Sequence, residues 1–405
     1  MSAFVSQREW VVIDSRWEWF AHTTLRSLVA ASLLALTQTA RADDGVGMVD
    51  VQIHGFVSQG FMLSTRNNYL AKSKGGSAEF SEVGINFTAP VTEQLRLGLQ
   101  LFSRDLGPIG NYDVKADWFY LDYRFADWLG FRAGRIKVPY GLYNEINDVD
   151  SARVPILLPQ SIYPTQNRDY LLAQTGGELY GRLDLEAAGA LEYRAYGGTI
   201  YLELPEARPG APIVVRDLGV PYVVGGRLLW EAPLEGLRLG GSVQALRLDT
   251  ELLMGTRVID WKLPVIVWVA SLEYALGDLL LSGEYGRWRI RSRSDAPDVI
   301  PDEQIESDRE QAYVMASYRV NDWLQPGAYY SLLFPDMDDR KGRETQQHDV
   351  SATLRFDLNQ HWLFKLEGHY MVGTAGLTPA LNEDRPLAEL TRRWVAVFAK
   401  TTAYF

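Results

Sequence analysis

Gln94-Leu-Arg-Leu-Gly-Leu-Gln-Leu-Phe-Ser-Arg104 places Leu95, Leu97, Leu99 and Leu101 on alternate positions, with Arg96, Gly98, Gln100 and Arg104 between them. Residues two apart share a face of a β-strand, so this stretch predicts a strand with one apolar side and one polar side. The same period returns at Val350, Ala352, Leu354, Phe356 and Leu358, set against Asp349, Ser351, Thr353, Arg355 and Asp357. It returns again at Phe364 and Leu366, set against Lys365, Glu367 and His369. A sandwich strand and a membrane-barrel strand both alternate in this way. The choice between them rests on features beyond one strand.

Connection lengths supply the first. Tight polar connections near Pro90–Glu93, Ala126–Trp128, Glu186–Gly189, Glu231–Glu235, Gly277–Asp278, Asn321–Trp323 and Asn359–His361 alternate with longer ones. The longer ones fall near 65–77, 106–112, 139–175, 205–220, 250–262, 292–309, 335–346 and 375–391. Seven short and eight long connections join sixteen strands, with both chain ends on the short-turn side. Short turns on one side and long loops on the other are the layout of an outer-membrane barrel. The strands are about 10–14 residues long, enough to cross a thin membrane at a tilt, where sandwich strands average about 5–6. Trp118, Phe119, Tyr120, Tyr123, Trp128, Trp230, Trp288, Tyr313, Trp323, Tyr329, Trp362 and Tyr370 gather toward strand ends, as two headgroup-level girdles would require. The expected fold is all-β, a transmembrane sixteen-stranded antiparallel up-and-down barrel.

The ends of the chain agree. Arg26 precedes the apolar run Leu28–Leu36, and Ala40-Arg41-Ala42 spaces small residues as a cleavage site does, so residues 1–42 read as a signal peptide cut after Ala42. Residues 43–405 then form one barrel domain. The last strand ends on the aromatic Phe405, which resembles the terminal signal that barrel-assembly machinery reads.

Composition narrows the function. The 405 residues hold no cysteine, which excludes disulfides, thiolate metal sites and cysteine nucleophiles. The net charge of -11 argues against a nucleic-acid partner. After Ala42 the histidines are His54, His348, His361 and His369, and none has a metal-ligand spacing. No G-x-S-x-G, P-loop or H-E-x-x-H motif occurs, and no cofactor is expected. An outer-membrane enzyme is therefore disfavoured, and a barrel-anchored adhesion protein would need longer external loops. A channel remains. Polar parity assigns Arg96, Arg104, Asp122, Arg124, Arg194, Arg238, Arg319, Arg355, Lys365 and Lys400 to the lumen wall, with Glu192, Glu273, Glu284, Asp349, Asp357 and Glu367.

The third long loop follows Gly134-Arg-Ile-Lys-Val-Pro-Tyr-Gly141 and is about 35 residues long, more than a compact domain leaves without a role. Its apolar Pro155-Ile-Leu-Leu-Pro159 predicts packing against the barrel wall, with the loop folded into the lumen. Arg132, Arg135 and Lys137 on the strand before it, and Glu145, Asp148, Asp150, Arg153 and Arg168 within it, are the expected constriction. Opposed charges across a narrow throat would act on passing ions, with Arg135, Lys137 and Arg153 attracting anions.

The Gly-Arg-Ile-Lys-Val-Pro-Tyr-Gly strand end followed by a long third loop resembles the phosphate-selective (O/P-type) porin family of Gram-negative outer membranes. The resemblance implies a homotrimer of barrels in outer-membrane lipid, each narrowed by its third loop, passing small hydrophilic solutes and ions. It also implies a lysine- and arginine-rich lumen. Here lysines are few and acids many.

Overall fold

A computed structural model describes residues 50–202, 213–296, 307–383 and 385–405. The expected signal peptide and its cleavage site lie outside them. The described chain forms sixteen antiparallel strands. β1 is Gln52–Ser64, β2 Phe80–Pro90, β3 Leu95–Leu106, β4 Val114–Ala126 and β5 Leu129–Lys137. β6 is Ala173–Asp184, β7 Ala190–Ile200, β8 Ile213–Glu231, β9 Leu237–Met254 and β10 Arg257–Leu276. β11 is Leu279–Ile290, prolonged after a break by the short pair Arg293–Ser294, and β12 is Ser307–Tyr318. β13 is Leu324–Phe334, β14 Gln347–Asn359, β15 Trp362–Gly373 and β16 Arg393–Tyr404.

Each strand pairs with the next, and β1 pairs with β16 from Phe56↔Tyr404 to Ser64↔Ala396, which closes the sheet into a barrel. Closure leaves no strand edge unpaired, the condition for a sheet to sit in lipid. Phe405 completes the seam, exchanging backbone hydrogen bonds with Gly55 at 3.0 and 3.1 Å.

The dyad faces fall as the alternation predicts. On β3, Leu97 is exposed on the outer surface while Gln100 and Arg104 are buried inside. Val57, Leu121, Val224, Leu272, Val314, Val350 and Val397 continue an outward apolar belt around the barrel. Trp128, Trp323 and Trp362 stand exposed beside the short turns, as a girdle requires. The other rings divide differently. Tyr313 and Tyr329 are buried in the lumen, and Trp118 stacks on Tyr120 there, with centroids 5.3 Å apart. Strand-end position is shared by both faces, so it did not distinguish a girdle ring from a lumen ring.

The connections depart from expectation most at one place, while 213–220 and 307–309, expected in loops, begin β8 and β12. Residues 250–262 are not a loop: β9 and β10 run on into each other, with Trp261↔Thr250, Asp260↔Glu251 and Arg257↔Met254 paired around a turn at Gly255. Gly255 takes φ +64°, the left-handed backbone a two-residue hairpin needs. β8, β9 and β10 therefore span 19, 18 and 20 residues, longer than their neighbours.

Candidate functional site: the third loop across the lumen

The site begins with a change of direction at the end of β5. Pairing of β4 with β5 stops at Phe119↔Arg135. Gly134 there has φ +133°, and a Cβ on it would lie 2.4 Å from the Phe119 carbonyl, so only glycine fits. A bulge in β4 opposite Gln100 and Leu101 inserts Asp117 out of alternation. The chain then leaves the wall at Val138 and re-enters it at Ala173, crossing the interior between them.

Wall carboxylates fix the loop's backbone. The amide of Leu142 donates to Glu284 of β11 at 2.9 Å, and the amides of Ile156 and Leu157 donate to Glu367 of β15 at 2.6 and 2.9 Å. The Tyr143 hydroxyl donates to Glu273 of β10 at 3.1 Å. The Ser161 hydroxyl donates to the Ala312 carbonyl of β12 and accepts from Ser331 of β13. Apolar packing reinforces these bonds: Val138, Leu158 and Ile162 are buried with Val223, Val267 and Tyr313 of the wall. The sequence expectation that Pro155–Pro159 packs inward is borne out, since Ile156, Leu157 and Leu158 are buried.

The charged residues expected at the constriction come together as contacting pairs. Lys137 meets Asp148 at 2.5 Å, and Asp148 also accepts from Gln100 of β3. Asp150 lies 3.0 Å from Lys365 and 3.6 Å from Lys400, and accepts from Thr402 at 2.7 Å. Arg153 contacts Asp150 at 3.6 Å and donates to the Pro155 and Ile156 carbonyls. Arg168 forms a two-pronged bond to Asp117, both arms 2.8 Å, and lies over the Phe102 ring. Glu145 receives Arg194 and, at 3.1 Å, Arg227. Arg135 donates to the Asp117 carbonyl at 2.8 Å. Arg132 pairs with Asp122 and Glu178 at 3.3 and 3.2 Å. These residues fasten the loop to itself and to the wall, rather than facing one another across an open gap.

The remaining wall residues are also engaged. Arg96 pairs with Asp122 at 2.7 Å, Arg238 with Glu273, and Arg355 with Asp357 at 2.8 Å. Arg355 donates further to the Ser151 carbonyl at 2.7 Å. Arg104 is buried against the Thr165 carbonyl, and Arg124 is exposed at the short-turn end. Sequence reasoning missed Asp117, because the bulge breaks the parity on which the reading depends. It also missed Glu178 and Arg227, which lie in glycine-rich stretches without clear alternation.

Electrostatics hold the loop acids ionised. Burial would raise the Glu145 carboxyl, but Arg194 and Arg227 outweigh it and bring it down to about 2. Burial would likewise raise Asp148, but Lys137 and Arg168 outweigh it and bring it down to about 2. Asp150, with Lys365, Lys400 and Arg153 around it, falls well below the usual carboxylate range despite its burial.

Water-accessible space remains on either side of the loop. Toward the short turns, a cavity of about 730 Å³ is lined by Arg124, Arg132, Arg182, Arg194 and Arg227 together with Glu192 and Glu231. A second, of about 410 Å³, lies between Arg319, Arg355, Asp322 and Asp357. Toward the long loops, a cavity of about 150 Å³ is bounded by Gln160, Gln166, Arg309 and Gln347.

The fold is shared with solved outer-membrane proteins. The trimer form of in-vitro folded OmpT of Vibrio cholerae superposes with a TM-score of 0.55 at 12% identity, covering 88% of this chain and 99% of that one. The anion-selective porin from Comamonas acidovorans gives 0.52 at 12% identity, covering 88% and 100%. The outer membrane channel DcaP of Acinetobacter baumannii gives 0.51 at 10% identity, covering 90% and 99%. The likeness is one of fold. It gives this chain the closed antiparallel barrel architecture of these proteins. No protein-family model and no curated protein matches the sequence.

Proposed function

We propose that this chain is a porin: a water-filled outer-membrane channel through which small hydrophilic solutes, small anions included, diffuse passively. The observation that carries the reading is the third loop, bonded to wall residues from β3 round to β16, with water-accessible cavities on both of its sides. A barrel used only as an anchor for surface loops gains nothing from a loop fastened inside its own lumen. Catalysis is not part of the reading.

The loop's ion pairs set the width of the passage by holding the loop in place. Arg124, Arg132, Arg182, Arg194 and Arg227 line the short-turn vestibule beside Asp127, Asp184, Glu186, Glu192 and Glu231, a polar wall of mixed charge suited to hydrophilic solutes. The abundance of paired acids does not favour phosphate over other small anions, so the resemblance to phosphate-selective porins extends to architecture and not to the named solute. The functional unit is a homotrimer in outer-membrane lipid, inserted by assembly machinery that reads Phe405. This carries over the trimer form of the Vibrio cholerae protein.

Liposome swelling tests the reading. Vesicles reconstituted with the purified barrel should swell in monosaccharides and progressively less in larger sugars. Vesicles that stay rigid in every sugar would refute the channel.

A further inference from the structure

Arg309 is a buried lumen cation that no carboxylate meets among the described residues. Arg132, Lys137, Arg194, Arg355, Lys365 and Lys400 each touch an acid, at distances of 2.5 to 3.3 Å. Arg309 faces inward from β12 and lies with its guanidinium carbon 4.6 Å over the ring of Trp288, its cross-strand partner on β11. One terminal nitrogen donates to the Ser161 carbonyl of the third loop at 3.0 Å. Its Nε is buried and has no hydrogen-bond partner.

Arg309 lines the cavity of about 150 Å³ on the long-loop side of the third loop. The one acid lining the same cavity, Asp349, is already engaged by Tyr329 at 3.1 Å and His369 at 3.0 Å. Gln166, also in the lining, has its carbonyl oxygen occupied by the Thr378 hydroxyl at 3.0 Å, which leaves its amide nitrogen as a donor. A desolvated N–H and an unneutralised charge both favour an acceptor anion, and the planar guanidinium suits one with two oxygens.

We propose that Arg309 and Gln166 form a binding station for one small oxyanion, a carboxylate or a phosphate, directly outside the loop constriction. Trp288 holds the guanidinium plane and the Ser161 carbonyl orients it, while the second terminal nitrogen and the Gln166 amide are offered to the anion. The station deepens the channel reading and rests on it for its role, since it would gather anions at the mouth of the passage. Its existence is measurable without conduction.

Calorimetric titration of the detergent-purified barrel with inorganic phosphate, and separately with acetate, at low ionic strength tests it. The wild-type chain should bind one equivalent of at least one of the two, and which one binds names the source. Arg309→Gln should weaken that binding about tenfold, the scale of a lost charge-assisted bond. Arg309→Lys should fall between, keeping the charge and losing the fork. Heat-modifiable migration identifies folded variants. Should Arg309→Gln not fold, Gln166→Leu carries the test with an expected loss of a few-fold. Absence of binding to the wild-type chain, or unchanged affinity in the folded variants, would overturn the station. Bilayer conductance on the same preparation separates the two readings: binding without conductance contradicts the channel and leaves the station standing.

Discussion

Lys365 and Asp150, 215 residues apart in sequence, meet at 3.0 Å in the barrel interior, and the same ammonium donates to the Asp150 and Arg153 carbonyls at 2.7 and 2.8 Å. Both side chains are buried, so neither charge is solvated. A buried pair contributes little beyond a well-packed apolar pair, but removing one member leaves a stranded charge and costs about 3–5 kcal/mol. Here the stranded charges would be Lys365 and Arg153, since Lys400 keeps Glu82 at 2.6 Å. Asp150→Asn should therefore release the loop from β15 and β16 while the barrel still assembles. Single-channel records should show open-channel noise, and a mean conductance above wild type. Wild-type noise would mean that the other anchors, Glu367 and Glu284 among them, hold the loop without Asp150.

The outer face should reject charge. Leu97 is 43% exposed on the lipid side of β3. An arginine near the bilayer midplane costs about 2–4 kcal/mol. Leu97→Arg should cut the yield of heat-modifiable barrel sharply. Gln325→Arg, in the short-turn vestibule, should assemble normally. Equal yields would mean that the faces are misassigned.

Acid should loosen the loop. Glu145 and Asp148 have folded-state values of about 2, depressed from ordinary values of 4.5 and 3.8. A depressed carboxylate adds stability that is fully present above its unfolded value and is lost as pH falls through the folded one. Loop docking should thus be constant from pH 7 to about 5, and weaken from about pH 4 toward 2. Tryptic cleavage cannot report this at low pH. Pepsin can, and its cutting within residues 139–172 should rise across that window. A flat pepsin profile would show that these two pairs do not hold the loop.

Phe405 lies over Gly55, and a Cβ on that glycine would come within 2.8 Å of the ring. The terminal ring thus covers bare backbone at the seam as well as ending the chain. Phe405→Ala should slow folding into lipid vesicles and leave unitary conductance unchanged. Gly55→Leu should do the same by displacing the ring. Wild-type kinetics in both would leave the seam independent of the ring.

Alternation made the barrel legible, because Leu95 to Leu101 can bury neither face in water without a partner sheet and can bury one in lipid. The loop's entry was legible at Gly134, whose backbone requires glycine. Its partners were not. Asp150 reaches Lys365 through closure of the whole barrel, and no local pattern in the chain encodes that meeting. Residues 250–262 read as a loop because Glu251, Gly255, Arg257 and Asp260 make them polar, yet they continue β9 and β10 through a two-residue turn. Arg309 fell within a stretch assigned to a loop, although it is the third residue of β12.

Unitary conductance of the wild-type protein in a planar bilayer separating unequal potassium chloride solutions tests the central claim most directly. A passage through a loop-narrowed lumen predicts discrete current steps that scale with salt, and a zero-current potential displaced toward the chloride equilibrium value. The displacement should shrink as ionic strength rises and screening shortens. A bilayer that stays silent with folded protein inserted would contradict it.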